Sequence, residues 1–226
     1  APPRQAQRPG RPELCRGDGH LMSPLVSTVI FDFGGVLALP LDAERCRVMA
    51  RWCSLPPRRF RAAFLRKRRA YDRGDVDLEG YWSEILPASR LPVPHEMLAK
   101  LNREDLRAWC RVNERMLAWA AELRSSGVRT AILSDMPQPL VDLLRRDPKY
   151  AWMRDFDPTV FSCEVRVTKP EVGIYRHLLS RIREEPSRCL FLDDNPENAA
   201  GACANRGALE ACVRAGVTDP GLETIF

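Results

Sequence analysis

The sequence has no apolar run approaching the roughly 20 residues a membrane-spanning helix needs, which excludes such a span from the reading. Its eight cysteines, at positions 15, 46, 53, 110, 163, 189, 203 and 212, form no Cys-x-x-Cys pair. Scattered in this way, they read as free thiols, many of them buried, in a reducing, cytoplasmic compartment. Histidine is scarce: His20 lies in a polar tail, His95 in a proline-flanked segment and His177 in a helical stretch, none at metal-ligand spacing. Surface or packing roles are expected for all three. There is also no Gly-x-Ser-x-Gly elbow, no Walker-type Gly-Lys-Ser/Thr loop and no Rossmann glycine triplet, so the common serine-hydrolase, nucleotide-triphosphatase and dinucleotide folds are excluded. Charge of one sign is not dominant, with 35 Lys and Arg against 30 Asp and Glu.

What is present suits one large domain or a core with an inserted subdomain, since 226 residues can bury a substantial core. Residues 1–24, with Pro2-Pro3, Pro9-Gly10-Arg11-Pro12 and Gly17-Asp18-Gly19, are nearly devoid of apolar side chains and are expected to be a disordered tail. They lack a signal peptide's apolar stretch. Met22-Ser23-Pro24, just ahead of the first strand, offers one alternative start, and whether residues 1–21 belong to the native protein is left open.

The chemistry begins at Val29-Ile30-Phe31-Asp32-Phe33-Gly34-Gly35, where an apolar β-branched run ends in a carboxylate and two glycines. Strands covered on both faces read as continuous apolar runs, and ligands of such sheets sit beyond the strands' carboxyl ends. Three further signals follow the same pattern. Val128–Leu133 ends at Ser134-Asp135-Met136-Pro137, and Cys189–Leu192 ends at Asp193-Asp194-Asn195-Pro196. Between them, Val165-Arg166-Val167-Thr168 leads to Lys169-Pro170 at the mouth of a helix through Ile174 and Leu178. A carboxylate, a hydroxyl, an ammonium and an acidic pair are the groups that metal-assisted phosphoryl transfer requires. Each has a plainer reading: Asp32 as a turn cap, Ser134 as a helix N-cap, Lys169 as a solvated surface lysine.

These four motifs, in this order, resemble the haloacid dehalogenase superfamily, on the branch with a helical cap inserted after the first strand. The likeness covers roughly residues 25 to 220, and the chain resembles in particular bacterial sugar-phosphate phosphatases and the phosphatase domain of soluble epoxide hydrolase. It implies a three-layer α/β Rossmann-like sandwich with a mainly parallel sheet, residues 25–40 and 112–226 forming the core and 41–111 the helical cap. It further implies that Asp32 is the nucleophile of an aspartyl-phosphate pathway. Ser134, Asp135, Lys169 and Gly35 would then cradle phosphate. Asp32, Asp194 and the backbone carbonyl of Gly34 would hold Mg²⁺, a hard cation suited to carboxylates and phosphate. Asp193 would hold a metal-bound water or orient Lys169.

Gly34 departs from the family pattern, in which many phosphatases carry an acid–base aspartate two residues after the nucleophile. General acid–base catalysis contributes ~10²- to 10⁴-fold, so the chain is expected to favour leaving groups that need little protonation, such as anomeric or aryl phosphates. Two alternatives stand beside the phosphatase reading: a 2-haloacid dehalogenase, against which Asp193-Asp194 argues because no metal is needed there, and a catalytically weak binding protein of the same fold. Asp135, where relatives often have asparagine, adds negative charge near the phosphate.

Between Leu41 and Arg111 apolar residues recur at helical spacing, with breaks at Pro56-Pro57, Gly74, Pro87, Pro92 and Pro94. The basic cluster from Arg51 through Arg58-Arg59, Arg61 and Arg66-Lys67-Arg68-Arg69 lies here. A solvated helix face is expected rather than a nucleic-acid surface, with some arginines drawing anionic substrate to the crevice. Tyr71, Tyr81 and Trp82 are candidate pocket walls, with core packing the default for Trp82. The expected partner is a small phosphorylated metabolite, with neither nucleic acid nor membrane; the oligomeric state is left open.

Overall fold

The computed structural model describes residues 26–87, 91–204 and 211–214, so the expected tail with His20 and Cys15, and the segment beyond Arg214, lie outside the described residues. The apolar runs form strands β1 (Thr28–Phe31), β2 (Arg129–Ser134), β3 (Thr159–Phe161), β4 (Cys189–Asp193) and β5 (Ala211–Arg214). They build one sheet in the order β3-β2-β1-β4-β5 with every pairing parallel. Phe31 pairs with Ile132 on one side and Leu192 on the other, so Asp32, Ser134 and Asp193 end up along one edge of the sheet.

Strand alternation sends successive side chains to opposite faces. Val29 and Phe31 pack with Ile132 and Leu192 against α5 (Glu114–Ser125) and α6 (Gln138–Arg146), while Ile30, Ala131, Leu133 and Phe191 pack against α8 (Val172–Ile182) and α9 (Pro196–Ala204). The result is the three-layer α/β sandwich.

Between β1 and α5 stand four helices with an apolar cluster of their own: α1 (Ala43–Trp52), α2 (Pro57–Arg73), α3 (Leu78–Ile85) and α4 (His95–Trp109). Local chemistry sets their ends. Asp42 accepts the N–H groups of Glu44 and Arg45 at 2.9 and 3.1 Å, and Asp77 that of Gly80 at 2.8 Å. Gly74 closes α2 at φ +78°, the left-handed conformation that only glycine adopts cheaply. The chain leaves and re-enters the sheet domain through neighbouring segments: Ala38 bridges Val112 antiparallel, Leu39 N–H donates to the Arg111 carbonyl at 2.6 Å, and Asn113 N–H to that of Leu37 at 2.9 Å.

One expectation fails here. The segment before Lys169 is not a strand; the strand of that region is β3, three residues long, followed by the short helix α7 (Ser162–Val165) and a turn at Arg166, φ +57°. Its two valines are separated by an arginine in left-handed conformation, which no strand accommodates. His95 and His177 are exposed, as expected. Among the described residues the cysteines are free, with Cys46, Cys53, Cys110 and Cys189 buried, and no helix is long and apolar enough to cross a membrane.

Candidate active site

At the carboxyl edge of the sheet a crevice of about 330 Å³ opens between the strand ends and the helical insert. Asp32 sits on its floor, only 7% exposed, where its backbone N–H still pairs with the Leu192 carbonyl. Its Oδ1 accepts the Phe33 N–H at 2.7 Å and lies 2.9 Å from Lys169 Nζ. Lys169 is itself buried, so the surface-lysine reading is overturned: its ammonium also donates to Asp193 Oδ2 at 2.6 Å and to the Leu133 carbonyl at 3.3 Å. Asp193 is fully buried and accepts in addition from Asn195 N–H at 2.8 Å and Asn198 Nδ2 at 3.1 Å. Of its two sequence-derived roles, the geometry matches the orientation of Lys169.

Burial pushes the Asp32 carboxyl up to about 7; Lys169 pulls it down, and Asp193 adds to the rise. Lys169 is held above its usual range: burial disfavours its charge, but Asp32, Asp193 and Asp135 more than offset that. Three carboxylates, Asp32, Asp193 and the exposed Asp194, bring oxygen atoms within 4.8 Å of one another. One ammonium against three carboxylates leaves an excess of negative charge, and the donors are all hard oxygens, so the residues present fit a small divalent cation. Gly35 is shaped to this cluster: its φ is +79°, and a Cβ there would lie 2.3 Å from Asp194 Oδ2.

Ser134 is the last residue of β2 and 2% exposed. It does not cap a helix, because α6 begins at Gln138 after Pro137 and has no side-chain cap. Asp135 faces the crevice wall, where both its oxygens accept the Lys169 backbone N–H at 3.1 Å, so its charge is engaged in tying two loops together. Burial raises its carboxyl, with Lys169 opposing.

The insert supplies the opposite wall through Arg61, Leu65, Arg68, Asp72 and Trp109, none of which was singled out from sequence as a wall residue. Tyr71, Tyr81 and Trp82 are not walls: all three are buried in the insert's own core, Tyr71 and Tyr81 stacked at 4.4 Å. Arg58, Arg59 and Arg66 are solvated as expected, but Arg68 is buried. Its Nε donates to Asp72 Oδ1 at 2.8 Å and its Nη1 to Asp105 Oδ1 at 2.7 Å, with the rings of Phe64, Tyr71, Tyr81 and Trp109 around it. A signal was available: Phe60, Phe64, Arg68 and Tyr71 fall at helical spacing on one face, and Asp72 follows Arg68 by four. The insert is fastened to the sheet domain beside the crevice. Ser162 Oγ donates to the Asp72 carbonyl at 2.5 Å and accepts the Met136 N–H at 3.0 Å, while Arg69 reaches Thr168 and Glu171, each at 3.1 Å.

A family model described as haloacid dehalogenase-like hydrolase matches residues 26–204. Bifunctional epoxide hydrolase 2 of Rattus norvegicus is 34% identical over 91 residues, 38% of this chain and only 16% of that protein's length. A HAD family enzyme of Bacteroides thetaiotaomicron, in complex with magnesium and inorganic phosphate, superposes with a TM-score of 0.65 at 16% identity, over 88% of this chain and 99% of that one. L-2-haloacid dehalogenase of Xanthobacter autotrophicus, with chloropropionic acid covalently bound, gives a TM-score of 0.59 at 19% identity, over 82% and 76% of the two chains.

Proposed function

The chain belongs to the haloacid dehalogenase-like hydrolases, and from that premise we infer that it is a magnesium-dependent phosphatase acting on a small phosphorylated metabolite. The observation that carries this reading is the convergence of Asp32, Asp193 and Asp194 around the Lys169 ammonium at the floor of the crevice. A dehalogenase has no use for such an acidic cluster. A phosphatase does, because a phosphate ester repels an anionic nucleophile. Asp32, Asp194 and the Gly34 carbonyl would hold Mg²⁺, which would supply the positive charge that offsets the repulsion of phosphate by the carboxylate.

Asp32 attacks phosphorus, forming an aspartyl-phosphate that water then hydrolyses. Lys169, locked by Asp193, and the Ser134 hydroxyl bind the phosphoryl oxygens as charge develops on them. The cap, residues 41–111 by this reading, excludes bulk water, and its exposed Arg61 at the rim draws the anionic substrate inward. The test is phosphate release from aryl, sugar and nucleotide phosphates with and without Mg²⁺, in the parent and in Asp32→Asn. Release that needs Mg²⁺ and vanishes in the variant supports the reading. Chloride release from 2-chloropropionate without a metal requirement would replace it with the dehalogenase reading.

A further inference from the structure

Departure of an alkoxide requires a proton, and Gly34 leaves the loop after Asp32 without a side chain to give one. We propose that Asp72, carried on the insert's helix α2, is the general acid for the leaving group and then the general base for the attacking water. This rests on the phosphatase reading and names the residue that completes it.

Asp72 lines the same crevice as Asp32, Ser134, Lys169 and Asp194, and lines as well a side opening of about 250 Å³ bounded by Lys169, Asn195 and Asn198. It is therefore placed on the insert's side of the crevice whose floor holds the nucleophile. Its position is fixed twice, by Ser162 on its backbone carbonyl and by Arg68 on Oδ1. No hydrogen bond reaches its Oδ2 among the described residues. At position 34, by contrast, a Cβ would meet only the Trp109 ring, at 3.6 Å.

The charged and titratable groups around Asp72 bear on its proton, among them the buried phenols of Tyr71 on its own helix and Tyr81 on α3. Arg68 on its own helix is shared with Asp105 of α4, which takes Nη1 with both oxygens. Asp135 faces it from the β2–α6 loop and Cys163 from α7, while Lys169 and Arg69 line the side opening. Burial raises the carboxyl to about 7; Arg68 opposes, and Asp135 and Asp105 add to the rise. Both protonation states are thus populated near neutrality, the condition under which one group serves as acid and as base.

The two steps balance. As Asp32 forms its bond to phosphorus, the bond from phosphorus to the leaving oxygen breaks and the Asp72 proton passes to that oxygen, giving neutral alcohol. Water then attacks the same phosphorus, Asp72 takes one of its protons, and the bond from phosphorus to the Asp32 oxygen breaks to release phosphate. Asp32 returns as carboxylate and Asp72 as carboxylic acid. The preference for aryl or anomeric esters expected from Gly34 then disappears.

The experiment compares kcat/KM for 4-nitrophenyl phosphate and for a primary alkyl phosphate in the parent and in Asp72→Asn, with Mg²⁺ present. The variant keeps a side chain able to accept from Arg68, and its melting curve and its inhibition by inorganic phosphate are expected to match the parent's. The alkyl ester is expected to lose about 10²-fold or more, the aryl ester less than about fivefold. Equal losses for both esters, or no loss, would overturn the proposal. The parent alone also decides: an enzyme that hydrolyses the aryl ester but discriminates against the alkyl ester by more than about 10²-fold has no internal acid, and the proposal falls while the phosphatase reading stands. A folded parent that releases phosphate from neither ester removes the phosphatase reading itself.

Discussion

Replacing Arg68 by methionine removes one cation from between two buried carboxylates. Asp72 is 8% exposed and Asp105 1%, and Arg68 contacts them at 2.8 and 2.7 Å. Removing one partner of such a buried group costs about 3–5 kcal/mol, because the remaining charge is left unpaired in a poorly solvated place. At about 2–4 °C per kcal/mol for a chain of this size, the melting temperature should fall by roughly 6–20 °C. The pH dependence separates charge from lost packing. Burial raises Asp72 to about 7 against the pull of Arg68 and also raises Asp105, so the folded protein holds protons that the unfolded chain gives up near 3.8. A carboxyl raised in this way contributes stability below its unfolded value and loses it as pH climbs through its folded value. Without Arg68 both carboxyls rise further, so the variant's deficit should be largest at pH 8 and shrink at pH 5. Neutralising the partners in Arg68→Met/Asp72→Asn/Asp105→Asn should return much of it. Urea unfolding at the two pH values is the assay; a deficit under about 1 kcal/mol at pH 8, or one equal at both, would refute the reasoning.

Three other outcomes are expected. Gly35→Ala pushes a methyl group into the Asp194 carboxylate, so Mg²⁺ binding measured by calorimetry should weaken at least about tenfold, the equivalent of about 1.4 kcal/mol; unchanged affinity would remove Asp194 from the metal set. Arg61→Ala should raise KM a few-fold at low salt with kcat preserved, and the difference should fade as salt screens the rim; a KM indifferent to both argues that Arg61 plays no part in capture. Ser162→Ala orphans the buried Met136 N–H and loosens the insert, so stability should drop by about 1–3 kcal/mol, read by thermal melting; a neutral substitution would show that the hydroxyl bridge contributes little.

The sheet and its chemistry were readable because burial on both faces forces continuous apolar runs, and a carboxylate or serine ending such a run stands out. The breaks at Pro56, Gly74 and Pro94 were equally plain, since each imposes a backbone geometry a helix interior refuses. Lys169 was placed by its motif and misplaced by its element, because two valines imitate a strand that left-handed Arg166 prevents. The helical insert's contribution was the part least visible. Within a run of basic residues Arg68 looks like its solvated neighbours, and only its register with Phe60, Phe64 and Tyr71 marks it as inward-facing. Trp109 and Asp72 become wall residues through the packing of α2 and α4 over the sheet, a long-range arrangement that no local pattern encodes.

The strand order has a consequence for how the protein comes to be active. β1 lies between β2 and β4, so the floor of the crevice exists only after β1 has paired in parallel with strands about 100 and about 160 residues further along the chain, the slow class of contact. The helical insert, built from neighbours in sequence, can consolidate much sooner. During refolding, helical signal and burial of the insert's tryptophans should therefore precede phosphate binding, and a nascent chain released before β4 emerges would be partly structured yet catalytically silent.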